Sequence, residues 1–418
     1  MRWRAVGLMM PFQQEQLDVG EFEYDGTLPA MRATVYGLKS GAADLLITEK
    51  DTYLLFGPHR SPTGCTSLGP KLRPPSAQWL SSDSVCVGES PLATKAVQWW
   101  QKPGFDVARY WFTTDSRLPW RSLFLRRALD PAVIGDYAMT YFPTFTPLPQ
   151  TNLSALQDLC VATAKPSTEH FGETPTVREL MAVRNKDAEA ERDERVGELI
   201  PGLSQKPCPQ MTPAQWPDRF VMTAIVTPIS INDVPYPTLI YYDWSGAQSL
   251  LILPFHSYPP ILQGILSLKN RIGYRVKFSD LVKKTGVCRA DLPGAVRPDW
   301  MKASSCECQG VITGNAALSP NAETQILSCP IKKQAPRIMW SWYTTQGQPI
   351  MFTEAAPEGG GVMLADYYDW LPGQTGEASD FELPKACASL DKSGGAAAGN
   401  AAPTFSNASC SDCHSTPQ

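Results

Sequence analysis

The chain has 418 residues, more than one hydrophobic core usually serves, so two or three domains are expected and a small disulfide-knotted module is excluded. Hydrophobic residues at 43% and charged residues at 19% exclude global disorder, and a net charge of −4 provides no basic footprint for nucleic acid or an anionic membrane surface. Counts of 38 Pro, 30 Gly, 12 Trp and 11 Cys favour turns and short extended segments, which suggests a mainly β (α+β) protein with disulfides, secreted or held in an oxidising organelle lumen.

The first 14 residues open with arginines but have only about six apolar residues before Pro11, fewer than the roughly 7–15 of a signal-peptide core. Either a signal segment is missing from this chain or the route is different. No stretch approaches the ~18 apolar residues of a spanning helix. Residues 12–160 then show short, β-branched or aromatic runs bounded by Gly, Pro, Asn or Asp: Ala33–Tyr36, Thr52–Phe56, Val107–Thr113 and Trp120–Leu125. These have the lengths of a meander, and such antiparallel strands, curved by Pro and Gly, predict a half-barrel. Residues 161–204 form a linker. Thr174-Pro175 is a helix start, and 12 of the 21 residues from Arg178 to Glu198 are charged with mixed sign, which predicts a solvated connecting helix.

Residues 205–388 return to the first pattern, with strands at Phe220–Val226, Leu239–Tyr242, Tyr274–Phe278, Ile338–Tyr343 and Gly361–Tyr367. They also repeat its landmarks in order. Val35-Tyr36-Gly37 leading to Leu45-Leu46-Ile47 answers Tyr241-Tyr242-Asp243 leading to Leu250-Leu251-Ile252, and Thr63-Gly64-Cys65 answers Thr285-Gly286-Val287-Cys288. Arg73-Pro74, Trp79 and Cys86 answer Arg297-Pro298, Trp300 and Cys306 or Cys308. Trp111-Phe112-Thr113-Thr114 answers Trp342-Tyr343-Thr344-Thr345, and Asp136-Tyr137 answers Asp366-Tyr367, with offsets drifting from 205 to 231. Two tandem half-barrel domains joined by the charged linker are therefore expected. Gly359-Gly360-Gly361 precedes a strand, so it reads as a hairpin turn and not a phosphate cradle. Residues 389–418, rich in Gly, Ala and Ser, read as a flexible tail.

In the second repeat, Trp216-Pro217 with Phe220, then Tyr241-Tyr242-Asp243-Trp244, Cys288, Arg297-Pro298-Asp299-Trp300 and Trp342-Tyr343 with Gly347 and Pro349, resemble an uncharacterised group of secreted plant and algal proteins loosely labelled glycosyltransferase-like. More distantly the spacing is similar to that of ependymin-related proteins, whose fold resembles the half-barrels of bacterial lipoprotein carriers that hold acyl chains. The resemblance implies a fold and no mechanism, since a shared fold does not carry a shared activity.

The repeat suggests cysteine pairs. Cys65 and Cys86 are 21 residues apart and Cys288 is 18 or 20 from Cys306 or Cys308, so one bridge is expected at each place. The remaining one of Cys306 and Cys308 would pair with Cys329 and Cys208 would clamp Cys387, while Cys160 is either free or paired to an upstream segment absent from this chain. Asn152-Leu-Ser and Asn407-Ala-Ser are acceptor sequons, as a secreted glycoprotein would carry.

Candidate chemistry is sparse. Cys410-Ser-Asp-Cys413-His414 matches the c-type haem pattern, but a Gly/Ala tail precedes it and four residues follow, so an exposed disulfide or loose tail is the preferred reading and no cofactor or metal is expected. His256, Asp136 and Asp366 are weak acid or base candidates, each also explained by a hydrogen-bonded loop or strand end. The recurring aromatics Trp111, Phe112, Tyr137, Trp342, Tyr343 and Tyr367 suit an apolar ligand or a sugar stacked on an indole, with about half of such residues packing inward. The function expected is binding of a hydrophobic or glycan-like ligand. The alternatives are a hydrolase or transferase acting in the cleft of one repeat, or a structural subunit with a protein partner in a larger assembly.

Overall fold

The structure is a computed structural model that describes residues 2–11, 17–37, 41–74, 85–92, 95–102, 107–113, 119–125, 137–167, 186–200, 203, 215–229, 236–245, 248–254, 263–268, 272–280, 285–293, 296–312, 323–330, 338–344, 347–355, 362–382, 385 and 387. Their architecture is mainly β, built from two large antiparallel sheets, the first of which also carries a short parallel pairing. The first sheet contains β1 (Arg2–Pro11), β2 (Asp18–Asp25), β3 (Ala30–Gly37), β4 (Ala42–Thr48), β5 (Thr52–Phe56), β6 (Gly64–Ser67), β7 (Val85–Leu92), β8 (Lys95–Lys102), β9 (Val107–Thr113), β10 (Pro119–Leu125), β11 (Tyr137–Pro147) and the two-residue β12 (Lys165–Pro166). Its order is β12-β6-β5-β4-β3-β2-β1-β11-β10-β9-β8-β7.

The second sheet contains β13 (Arg219–Ile229), β14 (Tyr236–Asp243), β15 (Gln248–Pro254), β16 (Gln263–Leu268), β17 (Ile272–Asp280), β18 (Thr285–Pro293), β19 (Glu307–Ile312), β20 (Thr324–Pro330), β21 (Ile338–Thr344), β22 (Pro349–Ala355) and β23 (Val362–Pro372). It runs β18-β17-β16-β15-β14-β13-β23-β22-β21-β20-β19. Apart from β12, the two orders are the same: six strands laid down in sequence, then five more returning on the other side of the first. Helices α1 (Leu153–Thr163), α2 (Lys186–Leu199) and the short α3 (Trp300–Ala303) complete the main elements. By internal contacts the chain divides into two compact units. One comprises residues 1–216, 299–353 and 366–368, with the whole first sheet, β19–β21 and most of β22; the other comprises 217–298, 354–365 and 369–418, with β13–β18.

The runs predicted as strands fall on strands, apart from Gly361, which lies outside the described residues, because each alternates along a hairpin-connected ladder in which chain neighbours are sheet neighbours. Arg2–Pro11, too short in apolar residues for a signal core, is the central strand β1, paired with β2 and β11. Equivalent strands also carry equivalent contacts. Arg2-Trp3 faces Tyr24-Asp25 across β1 and β2, and Arg219-Phe220 faces Tyr242-Asp243 across β13 and β14. Trp3 stacks on Tyr24 at 5.4 Å and packs on Phe145, whereas Phe220 stacks on Tyr242 at 4.7 Å and packs on Trp370. Arg2 donates to Asp25 and Arg219 to Asp243, and each aspartate also accepts from the hydroxyl two residues on, Thr27 or Ser245. Tyr241-Tyr242 thus occupies the place of Glu23-Tyr24 and not that of Val35-Tyr36; the sequence match slips by one strand because adjacent strands share the same alternation.

The disulfides correct the expected pairing. Cys65 is bridged to Cys160 and not to Cys86, and Cys288 to Cys387 and not to Cys306 or Cys308, so Cys160 is not an orphan and Cys387 is not clamped to Cys208. Both bridges tie the sixth strand of a sheet to the segment that follows its eleventh strand, across sequence separations of 95 and 99 residues. Similar short spacings misled the pairing because the meander brings distant segments together. Cys306 is bridged to Cys329, and Cys308 is also disulfide-bonded.

Candidate functional site

Period-two alternation sorts the side chains of β1–β5 onto two faces of different chemistry. On one face, Ala30, Leu46 and Leu55 pack against Leu153, Leu156 and Cys160 of α1. Beside them the same face turns polar. Register sets Glu21 of β2 opposite Thr34 of β3, and Thr34 opposite Asp44 of β4. Asp44 is 1% exposed; Arg32 Nε and Nη2 donate to its two oxygens at 2.9 and 2.5 Å, and Thr34 Oγ1 donates at 2.9 Å. His59 is delivered by a turn at Gly57, whose φ of +95° disfavours any other residue and where a Cβ would stand 2.8 Å from Thr63 Oγ1. Its Nε2 lies 3.3 Å from Glu21 Oε2 and its Nδ1 3.6 Å from Asp44 Oδ2.

Helix α2 closes this cluster. Arg195 donates to both oxygens of Glu21 at 2.8 Å, with Arg4 of β1 on the same carboxylate. The His59 amide donates to Glu191 Oε2 at 3.0 Å, and Arg60 donates to Glu198 at 3.1 Å. Val196 and Leu199 are buried, so the helix expected to be solvated carries one docked face and one wet face. Burial alone would raise the Glu21 carboxyl, but His59, Arg4 and Arg195 outweigh it and hold it at about 2. Burial likewise opposes ionisation of Asp44 and His59, and their partners prevail: Asp44 is pulled below the ordinary carboxylate value by Arg32 and His59, and His59 is lifted by Asp44 and Glu21. With guanidinium groups on both Glu21 and Asp44 and His59 between them, the cluster is an ionic clamp that fastens α2 to the sheet.

The opposite face is apolar. Its floor, made by Ala33, Val35, Ala43, Leu45, Ile47 and Leu54, is 0–6% exposed, and Met9, Phe22, Met31, Phe56 and Leu72 stand half-buried around it. One acid interrupts it. Asp18 is paired by register with Met9 on one side and Gly37 on the other, is 5% exposed, and has an Oδ1 with no hydrogen-bond partner among the described residues. Burial pushes its carboxyl up to about 7.

Of the residues expected to form a site, three are placed together. Tyr343 is 3% exposed and accepts a hydrogen bond from Trp216 Nε1 at 3.2 Å; Trp216 packs edge-on against Trp300, and Met301, Leu327 and the Cys306–Cys329 bridge complete a packed core. Asp366 is buried, and burial together with nearby Tyr343 and Asp366 raises the Tyr367 hydroxyl. Trp111, Phe112, Tyr137 and Trp342 fall on β9, β11 and β21, with side chains outside the described residues, as is that of Cys86 on β7. Asp136, His256, Cys208, the Gly359–Gly361 run and the Cys410, Cys413 and His414 pattern also lie outside them. Among the described residues, no group of three or more His, Cys, Asp or Glu is placed to hold a metal ion, and no helix is long and apolar enough to cross a membrane. Sequence reasoning missed Asp18, Glu21, Arg32, Asp44, His59 and Arg195, although a lone acid in the apolar run Ala42–Thr48 was a usable signal.

No protein-family model and no curated protein matches the chain. Among solved structures it is similar to an uncharacterised conserved protein from Thermus thermophilus, at 15% identity over 40% of this chain and 91% of that one, with a TM-score of 0.26. It is also similar to a LolA superfamily protein from Nitrosomonas europaea, at 10% identity over 40% and 92%, TM-score 0.23, and to MucB in complex with MucA(peri), at 11% identity over 92% of each chain, TM-score 0.21. TM-scores of this size carry no functional meaning.

Proposed function

We propose that the protein binds an apolar ligand on the face of the first sheet opposite α1 and α2, as a carrier or scavenger in an oxidising compartment, with which its disulfides are consistent. The supporting observation is the half-burial of Met9, Phe22, Met31, Phe56 and Leu72 around a fully buried apolar floor. A face that only completed a core would bury these side chains as deeply as Ala33 and Leu54. Apolar surface left against water costs about 25 cal/mol per Å², so an apolar ligand gains by covering it. The glycan alternative has less support, because Tyr343 and Trp300 are spent on core packing instead of presenting a stacking surface.

The second sheet reads as a second copy of the same unit in a tandem duplication. At the positions matching Glu21, Arg32 and Thr34 it has Leu239, Leu251 and Leu253, so the ion clamp belongs to the first copy alone. The test is native mass spectrometry of the purified full chain for a co-purified apolar molecule, followed by titration with a neutral fluorescent acyl probe. Met31→Glu, which places a charge on a half-buried position, is expected to weaken uptake about tenfold, and Tyr343→Phe to leave it unchanged. Absence of both a co-purified molecule and probe uptake would sink this reading.

A further inference from the structure

A buried carboxyl on an apolar sheet face is costly unless something satisfies it. Among the described residues, the cations near β2 do not. Arg4 and Arg195 engage Glu21, and Arg32 engages Asp44, all on the opposite face. Across the ladder Asp18 meets Met9, whose thioether is at best a weak acceptor, and Gly37, which has no side chain to offer. The site therefore has an unmet acceptor, a local negative charge when ionised, and a glycine in place of a bulky cross-strand neighbour. From Asp18 the face continues through Met9, Phe22, Val35 and Met31 to Tyr24, six residues along β2, or about 20 Å at ~3.3 Å per residue. Phe22 is itself set over Gly20, where a Cβ would stand 2.6 Å from its ring, so the strip is kept continuous by a residue too small to interrupt it.

We infer that the ligand of this face is a single-chain amphiphile with a primary amine head, its ammonium paired with Asp18 and its chain laid along Phe22, Met9, Val35 and Met31. The inference rests on the apolar-ligand reading above and adds the head group. A carboxylate head would meet a like charge, and an alcohol head would satisfy the acceptor while leaving the charge uncompensated. An ammonium supplies donors and cancels the charge, and such a charge-assisted hydrogen bond is roughly twice as strong as a neutral one.

The experiment is displacement of a neutral fluorescent acyl probe from the full chain by dodecylamine, dodecanol and dodecanoate, each below its micellar concentration. For the unaltered protein, dodecylamine is expected to displace the probe at a concentration about tenfold lower than dodecanol, with dodecanoate the weakest. Asp18→Asn, which keeps the shape and removes the charge, is expected to retain probe uptake and lose the amine preference. Probe uptake without an amine preference, or a preference that survives in Asp18→Asn, overturns the head-group assignment while leaving the apolar face as a binding site. Failure of the unaltered protein to take up any probe overturns both.

Discussion

Glu21→Gln tests whether the ion cluster fastens α2 to the sheet. The substitution keeps the volume of the side chain and removes the charge that Arg195, Arg4 and His59 share. The Glu21 carboxyl falls from 4.5 to about 2, and at 1.36 kcal/mol per pH unit this corresponds to a contribution on the order of 3 kcal/mol at neutral pH. Because its folded-state value is depressed, the contribution is fully present above pH 4.5 and is lost as the pH falls toward 2. Two compact units can unfold separately, so a single melting curve is a poor readout and the segment itself should be followed. Hydrogen exchange over Lys186–Leu199 is expected to accelerate in Glu21→Gln at pH 7 by two orders of magnitude or so, the factor equivalent to about 3 kcal/mol. In urea the gap between variant and wild type should close between pH 4.5 and pH 2. Unchanged protection of α2 at pH 7, or a stability gap that persists in acid, would refute the clamp.

Asp18 shows the opposite sign. Its carboxyl is raised from 3.8 to about 7, so ionisation costs nothing below pH 3.8 and on the order of 4 kcal/mol above pH 7; in ligand-free protein, hydrogen exchange over Asp18–Asp25 should be slower in Asp18→Asn than in wild type at pH 8 and equal at pH 3.5. A gap independent of pH would contradict this. Replacing Cys65 and Cys160 together by Ser opens a sequence separation of 95 residues and should lower stability by about 4–5 kcal/mol on the chain-entropy account, measured by urea unfolding with the other bridges kept oxidised. Leu46→Ala empties a fully buried position facing α1 and should cost about 2–5 kcal/mol in the same assay.

The strands were legible because their signal is local. Alternation within Ala33–Tyr36 or Phe220–Val226 is imposed by one buried face, and each such run lies on a strand. Matching one sheet to the other needs register, which is not local: Val35-Tyr36 and Glu23-Tyr24 satisfy the same pattern, and only the partner strand decides which of them Tyr241-Tyr242 answers. The partners expected for Cys65, Cys288 and Cys387 failed for a related reason, whereas the expected bridge to Cys329 is present, from Cys306. Spacings of about 20 residues recur around Cys65 and Cys288, but the ladder carries both to the segment that follows the eleventh strand of their own sheet. The charge run of α2 was legible as a helix, and its docking was not, because Arg195 finds its carboxylate 174 residues earlier in the chain.

The most instructive pair lies within a single strand. Asp18 and Glu21 are three residues apart on β2, an odd separation, so they point to opposite faces. Both are acids, both are nearly buried, and nothing in the string Asp18-Val-Gly-Glu21 separates their fates. One is ringed by Arg4, Arg195 and His59 and held at about 2; the other meets Met9 and Gly37 and rises to about 7. The difference of roughly five units comes from what each face packs against: a charged helix on one side, apolar side chains on the other. A strand pattern yields the parity of each position and leaves open which parity receives the helix. That choice turns Glu21 into a structural clamp and leaves Asp18 as the acceptor awaiting a cation, so the chemistry of this protein is written in the packing of its two faces more than in any motif along the chain.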